Sequence, residues 1–151
     1  MANWAEPVFD RTYADVSYAI AQINEWKATG TGGIAFLKGC LNVGDINRIE
    51  DNIAYLNTEL SKLYYFPRTT SKTWTMEGIF RIVDATRIVE NIEKIISQFF
   101  QIPDAPALPD TMLSYEQINS IEANLYYIKN ILDHMKTLFR ECNTFECGEE
   151  N

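Results

Sequence analysis

Leu41 to Leu56 reads LNVGDINRIEDNIAYL, and Leu113 to Ile128 reads LSYEQINSIEANLYYI. Shifted by 72 positions, seven of the 16 residues are identical: Leu41/Leu113, Ile46/Ile118, Asn47/Asn119, Ile49/Ile121, Glu50/Glu122, Asn52/Asn124 and Tyr55/Tyr127. A weaker copy lies 39 positions after the first, Arg87-Ile88-x-x-Asn91-Ile92 against Arg48-Ile49-x-x-Asn52-Ile53. Matching apolar positions would recur in any bundle, so the polar matches carry more information. Asparagine is a mediocre helix former, yet Asn52, Asn91 and Asn124 stand mid-helix at one register, each just before an apolar-stripe residue. A carboxamide there can bond the backbone of a neighbouring loop or fix helix register. Arg48 belongs to the same block. These four are the candidate register and contact residues, acting within the chain or toward another subunit.

The repeat sits on helical periodicity. Ile46, Ile49, Ile53, Leu56, Leu60 and Leu63 are spaced 3, 4, 3, 4, 3, which predicts a helix over about 43–63 with one apolar stripe. The same reading predicts helices over about 13–28, 76–100 and 115–140. Caps support three of the starts: Thr12 with Asp15, Asn42 with Asp45, and the full S-x-x-Q box of Ser114 and Gln117. Gly30 stops the first helix, and Pro103 disfavours a helical residue before it. The expected fold is all-α, a bundle of about four helices, with an optional small two-stranded extension in Tyr64 to Thr75. Residues 1–12 read as an N-terminal arm, 13–140 as the bundle and 141–151 as an acidic tail. Gly30 to Gly33 reads as a flexible turn. Pro103, Pro106 and Pro109 read as a stiff connector.

Composition bounds the function. The chain has 151 residues, 46% hydrophobic and 23% charged, with 13 Lys plus Arg against 21 Asp plus Glu, a formal −8. That charge repels a phosphate backbone, so nucleic acid is not expected as a partner. There is no run of 18 apolar residues for a membrane span and no basic, apolar leader at Met1 to Asp10. Cys40, Cys142 and Cys147 are too few for a disulfide scaffold; with His134 they read as unpaired thiols and a solvated histidine rather than a zinc site. Gly30-Thr31-Gly32-Gly33 lacks the Gly-Lys end of a phosphate loop. Asp45, Glu50 and Asp51 lack the alternating ligands of a calcium loop and read as surface or capping charge. No catalytic residue, metal, cofactor or small-molecule substrate is expected, and the chain does not read as an enzyme.

The blocks taken together resemble a family of small phage structural proteins from the tail modules of Gram-positive phages. The shared pattern stands here as Asp10-Arg11-Thr12 with Asp15-Val16, Lys38-Gly39 with Asn42, Asp45 to Leu56, Thr73-Trp74, and Arg87 to Ile92. The likeness spans about Phe9 to Ile96 and fades in the fourth helix, where Ser120 stands in place of the arginine. The resemblance implies a prophage or phage tail, baseplate or fibre component, made in the bacterial host cytoplasm and located in the virion. Its partners would be other virion proteins or further copies of itself. The alternative is a cytoplasmic helical adaptor or regulator binding a host protein. Trp4, Phe9, Tyr64, Tyr65, Phe66 and Trp74 are the candidate interface aromatics, since exposed aromatics anchor interfaces; the other reading is that they cap the open end of the bundle within the chain.

Overall fold

The computed structural model describes residues 2–34, 36–99 and 102–142, with side chains in the last helix described as far as Leu138. Most of the acidic tail therefore lies outside the described residues, Cys147 included. Four helices follow in order: α1 (Tyr13–Thr29), α2 (Val43–Ser61), α3 (Ile82–Phe99) and α4 (Tyr115–Cys142). The first two begin in complete capping boxes, Thr12 with Asp15 and Asn42 with Asp45. The third box also forms, with Ser114 Oγ accepting from Gln117 N–H at 3.2 Å and Gln117 Oε1 accepting from Ser114 N–H at 3.0 Å. α1 ends at Gly30, whose N–H still closes on the Trp26 carbonyl while its left-handed φ of 68° turns the following chain out of the helix.

α3 starts at Ile82, six residues later than its periodicity suggests. Asp84 supplies the reason: its carboxylate caps the N–H of Arg81 at 3.1 Å, so the helix has a start signal there. Upstream, a turn closed by the Gly78 N–H and the Thr75 carbonyl takes up Met76 and its neighbours.

One contiguous apolar core is formed by the stripes of α2, α3 and α4, from Ile46 to Leu60, Ala85 to Ile95 and Ile118 to Leu132. α1 contributes nothing to it. The spacing of Tyr13, Val16, Ile20 and Ile23 suggests a core-facing stripe, but Tyr13 and Ile20 are exposed and only Ala19 of this helix is buried.

The three core helices run parallel. Arg48 of α2 pairs with Glu122 of α4, and further along both helices Glu59 pairs with Lys136. α3 has the same direction: Glu50 of α2 meets Arg87, while Gln98 near the end of α3 bonds the N–H of Phe66, just past the end of α2. Parallel neighbours need a return path as long as the helix, about 27 Å for the 18 residues of α3. Residues 62–81 provide it after α2, and among the described residues 102–114 do so before α4. Among the described residues there is no strand, so the two-stranded extension does not form. The segment expected to supply it is extended, but its backbone is paired by helix side chains instead.

Candidate interaction surfaces

The asparagines of the repeat pair that backbone. A carboxamide offers one donor and one acceptor side by side, as a peptide edge does, and can replace a neighbouring strand. Asn91 Nδ2 donates to the Thr70 carbonyl at 2.7 Å, and its Oδ1 accepts the Thr70 N–H at 3.1 Å. Asn47 holds Trp74 the same way, at 2.9 and 2.7 Å. On the other side of α2, Asn52 holds Ala5 at 2.8 and 2.9 Å, and Asn119 of α4 holds Arg11 at 2.9 and 3.2 Å. The N-terminal arm is thus a strap laid between α2 and α4, matching the strap of residues 69–75 between α2 and α3. Asn124 reaches the third strap through the Pro106 carbonyl at 2.8 Å. Proline has no N–H to return, so this clamp is single.

Each complete clamp is reinforced by a buried glutamate. Glu122 accepts the Val8 N–H at 2.7 Å, Arg48 Nε at 2.9 Å and Arg11 Nη2 at 3.0 Å. Asp45 closes the group by accepting Arg11 and Arg48, so two cations face two anions. Glu50 accepts the Lys72 N–H at 3.3 Å, Trp74 Nε1 at 3.2 Å and both terminal guanidinium nitrogens of Arg87, Nη1 and Nη2. Lys72 Nζ pairs with Asp84 at 3.0 Å, giving a second balanced set. That hydrogen bond, foremost among several causes, holds the Asp84 carboxyl below its usual range. Glu50 is buried and caps nothing, so the expectation of surface or capping charge is corrected for it; Asp45 caps α2 as expected, but is buried and also pairs with Arg11 and Arg48. Both carboxylates act as anchors for straps.

The two sets occupy matching positions in the 39- and 72-residue registers. The third site is the informative exception. Where α2 has Asp45 and Arg48, α4 has Gln117 and Ser120; where α2 has Glu50, α3 has Val89. All three charges have been replaced by neutral residues. A buried ion left without its partner costs about 3–5 kcal/mol, so a charge set of this kind is kept or lost whole. The chain is therefore three strap-and-helix units around a pseudo-threefold axis, two fastened by ions and one without them.

In the second and third units the strap leads into its helix within ten residues and with no helix between. In the first, α1 and its return loop stand between strap and α2, as an insert. Its base is closed by an unusually near approach: a Cβ on Gly39 would lie 2.1 Å from the Asp15 carbonyl oxygen. Arg11 Nε donates to the Lys38 carbonyl at 3.1 Å, and Lys38 pairs with Asp10 at 2.9 Å. Tyr18, Ile20, Trp26, Ile34 and Phe36 are exposed on the insert, Phe36 at 88%.

The candidate aromatics separate into groups. Trp74 is 7% exposed, lies in the core beside Phe80 and cannot be an interface anchor while its strap is seated. Trp4 packs on Tyr55 with ring centroids 5.7 Å apart, and Tyr65 packs against the core. The N-terminal arm that carries Trp4 and Phe9 docks on its own bundle. Phe9 lies at the surface against Tyr126, while Tyr64 and Phe66 are exposed at the end of α2. Arg48, Asn52, Asn91 and Asn124 all act within the chain. The larger exposed apolar surface is on residues not singled out from sequence: the insert, and Met76, Ile79, Ile82, Val83 and Leu113 near the starts of α3 and α4. Periodicity marks an apolar face but does not tell whether the same chain covers it.

Among the described residues no three or more His, Cys, Asp or Glu side chains are grouped to hold a metal, and no helix is long and apolar enough to cross a membrane. His134 is exposed on α4. Comparison with family models, curated proteins and solved structures finds no match.

Proposed function

We propose that this chain is a structural or assembly component of a phage or prophage tail or baseplate, acting by protein–protein contact. The observation that carries the reading is the insert: a helix and return loop with exposed Tyr18, Ile20, Trp26 and Phe36, joined to a scaffold whose core it does not help to build. Insertions into repeat frameworks are where partners are commonly met. The blocks that resemble the tail-module family support the same reading from another side. Arg11, Arg48, Glu50, Asn52, Arg87 and Asn91 all hold straps, so those blocks specify a shape and leave the contact to other residues on the surface.

Mass spectrometry of particles purified after prophage induction tests the proposal. The chain is expected in the particle fraction, and removal of the insert's apolar side chains (Ile20→Ser with Trp26→Ser and Phe36→Ser) is expected to leave it in the soluble lysate. Abundant wild-type chain in the lysate with none in particles would overturn the proposal in favour of a cytoplasmic adaptor.

A further inference from the structure

At the far end of the bundle from the insert, the connection after α2 and the last turns of α3 enclose an open depression lined by Tyr64, Phe66, Pro67, Arg68, Lys94 and Gln98. We propose that it is a docking site for an acidic peptide segment of a partner protein, with Arg68 and Lys94 receiving carboxylates and Tyr64 and Phe66 receiving a neighbouring apolar side chain.

Charge complementarity is the first ground. The formal charge of −8 opposes an acidic ligand over most of the surface, so a site for one needs a local excess of cations, and most described cations are paired. Arg68 and Lys94 have no carboxylate partner among the described residues, yet they line one depression. Four other surface depressions each include at least one carboxylate: Glu77 and Asp84, Asp133, Asp45, and Glu116. This one has two cations and none.

The second ground is backbone strain. Tyr64 and Arg68 have φ of 65° and 53°, a left-handed conformation that costs a side-chain-bearing residue stability and that glycine would adopt freely. Both side chains are displayed by it, Tyr64 at 86% exposure. The loop between them is held rigidly: the Tyr65 N–H bonds the Leu60 carbonyl at 3.0 Å, the Phe66 N–H bonds Gln98 Oε1 at 2.9 Å, and Pro67 is buried. A surface organised in advance loses less order on binding. The inference does not depend on the virion reading.

Arg68→Gly separates binding from structure, because it removes the side chain and relieves the left-handed residue together. The probe is a fluorescein-labelled hexapeptide, Glu-Glu-Phe-Glu-Gly-Glu, followed by anisotropy on the full chain. Saturable binding is expected, lost when the probe's glutamates become glutamines, and weakened at least tenfold in Arg68→Gly and in Lys94→Ala. The thermal midpoint of Arg68→Gly should equal or exceed that of wild type. The proposal is overturned if wild type shows no binding at millimolar concentration, or if both variants bind as wild type does. Equal affinity for a labelled single-stranded DNA through the same two residues, or full competition by inorganic phosphate, would also overturn it by showing a general anion site.

Discussion

At the residue scale, the fold depends on side chains that imitate backbone. Asn91 is fully buried and satisfies both polar groups of Thr70. Asn91→Ala strands that N–H and weakens the hold on the carbonyl, which Arg87 also bonds. The expected loss is about 1–3 kcal/mol. Asn130→Ala, exposed on α4, should stay within about 0.5 kcal/mol of wild type. Denaturant titrations of the two variants check this; equal midpoints would mean that the strap is not held through Asn91. The importance of these asparagines is legible in the sequence, because poor helix formers recur at one register. Their partners are not, since nothing local says which backbone will lie opposite. For Trp74 the sequence leaves interface anchor and intrachain cap open for a related reason: an aromatic in a connection is placed inside only once Asn47 and Glu50 are seen to draw that connection into the core.

At the element scale, the caps were legible because a capping box is complete within four residues, and all three boxes form. Helix direction was not. An apolar stripe has no polarity, and short loops between antiparallel neighbours are the ordinary expectation for a bundle. The ion pair between α2 and α4 makes the parallel arrangement testable by pH. Burial pushes the Glu59 carboxyl up, but hydrogen bonds from Lys136 and Lys62 outweigh it and hold it below its ordinary 4.5. A lowered folded-state pKa contributes stability above the unfolded value and loses it as pH falls through the folded one. Denaturant midpoints should therefore fall on acidification below about pH 4.5, and Glu59→Gln should flatten part of that fall. A Glu59→Gln profile parallel to wild type throughout would contradict a Glu59–Lys136 contact.

At the scale of the whole molecule, the pseudo-threefold repeat predicts that the ionic fastening can be moved to the third site. Val89 is buried, so Val89→Glu alone places an unpaired carboxylate inside the bundle and should cost several kcal/mol, about 3–5 by analogy with broken buried pairs. Ser120→Arg supplies the cation that the register calls for. In a double-mutant cycle the pair should show a favourable coupling of at least about 1 kcal/mol. Zero coupling would mean that α3 and α4 do not face each other as α2 and α3 do.

The central claim is that three strap-and-helix units make the fold and that α1 with its loop is an insert reserved for contact. Asp15 and Gly39 are in backbone contact at the insert's base, so residues 16–37 can be replaced by Gly-Ser-Gly without stretching the chain. Thermal unfolding of that shortened protein, followed by circular dichroism, tests the claim most directly. The account predicts one cooperative transition with a midpoint within a few degrees of the full chain, because the apolar core shared by α2, α3 and α4 loses no residue and, among the described residues of the removed segment, only Ala19 and Leu37 are buried apolar residues. Loss of the cooperative transition would contradict it and make α1 a structural member of the bundle.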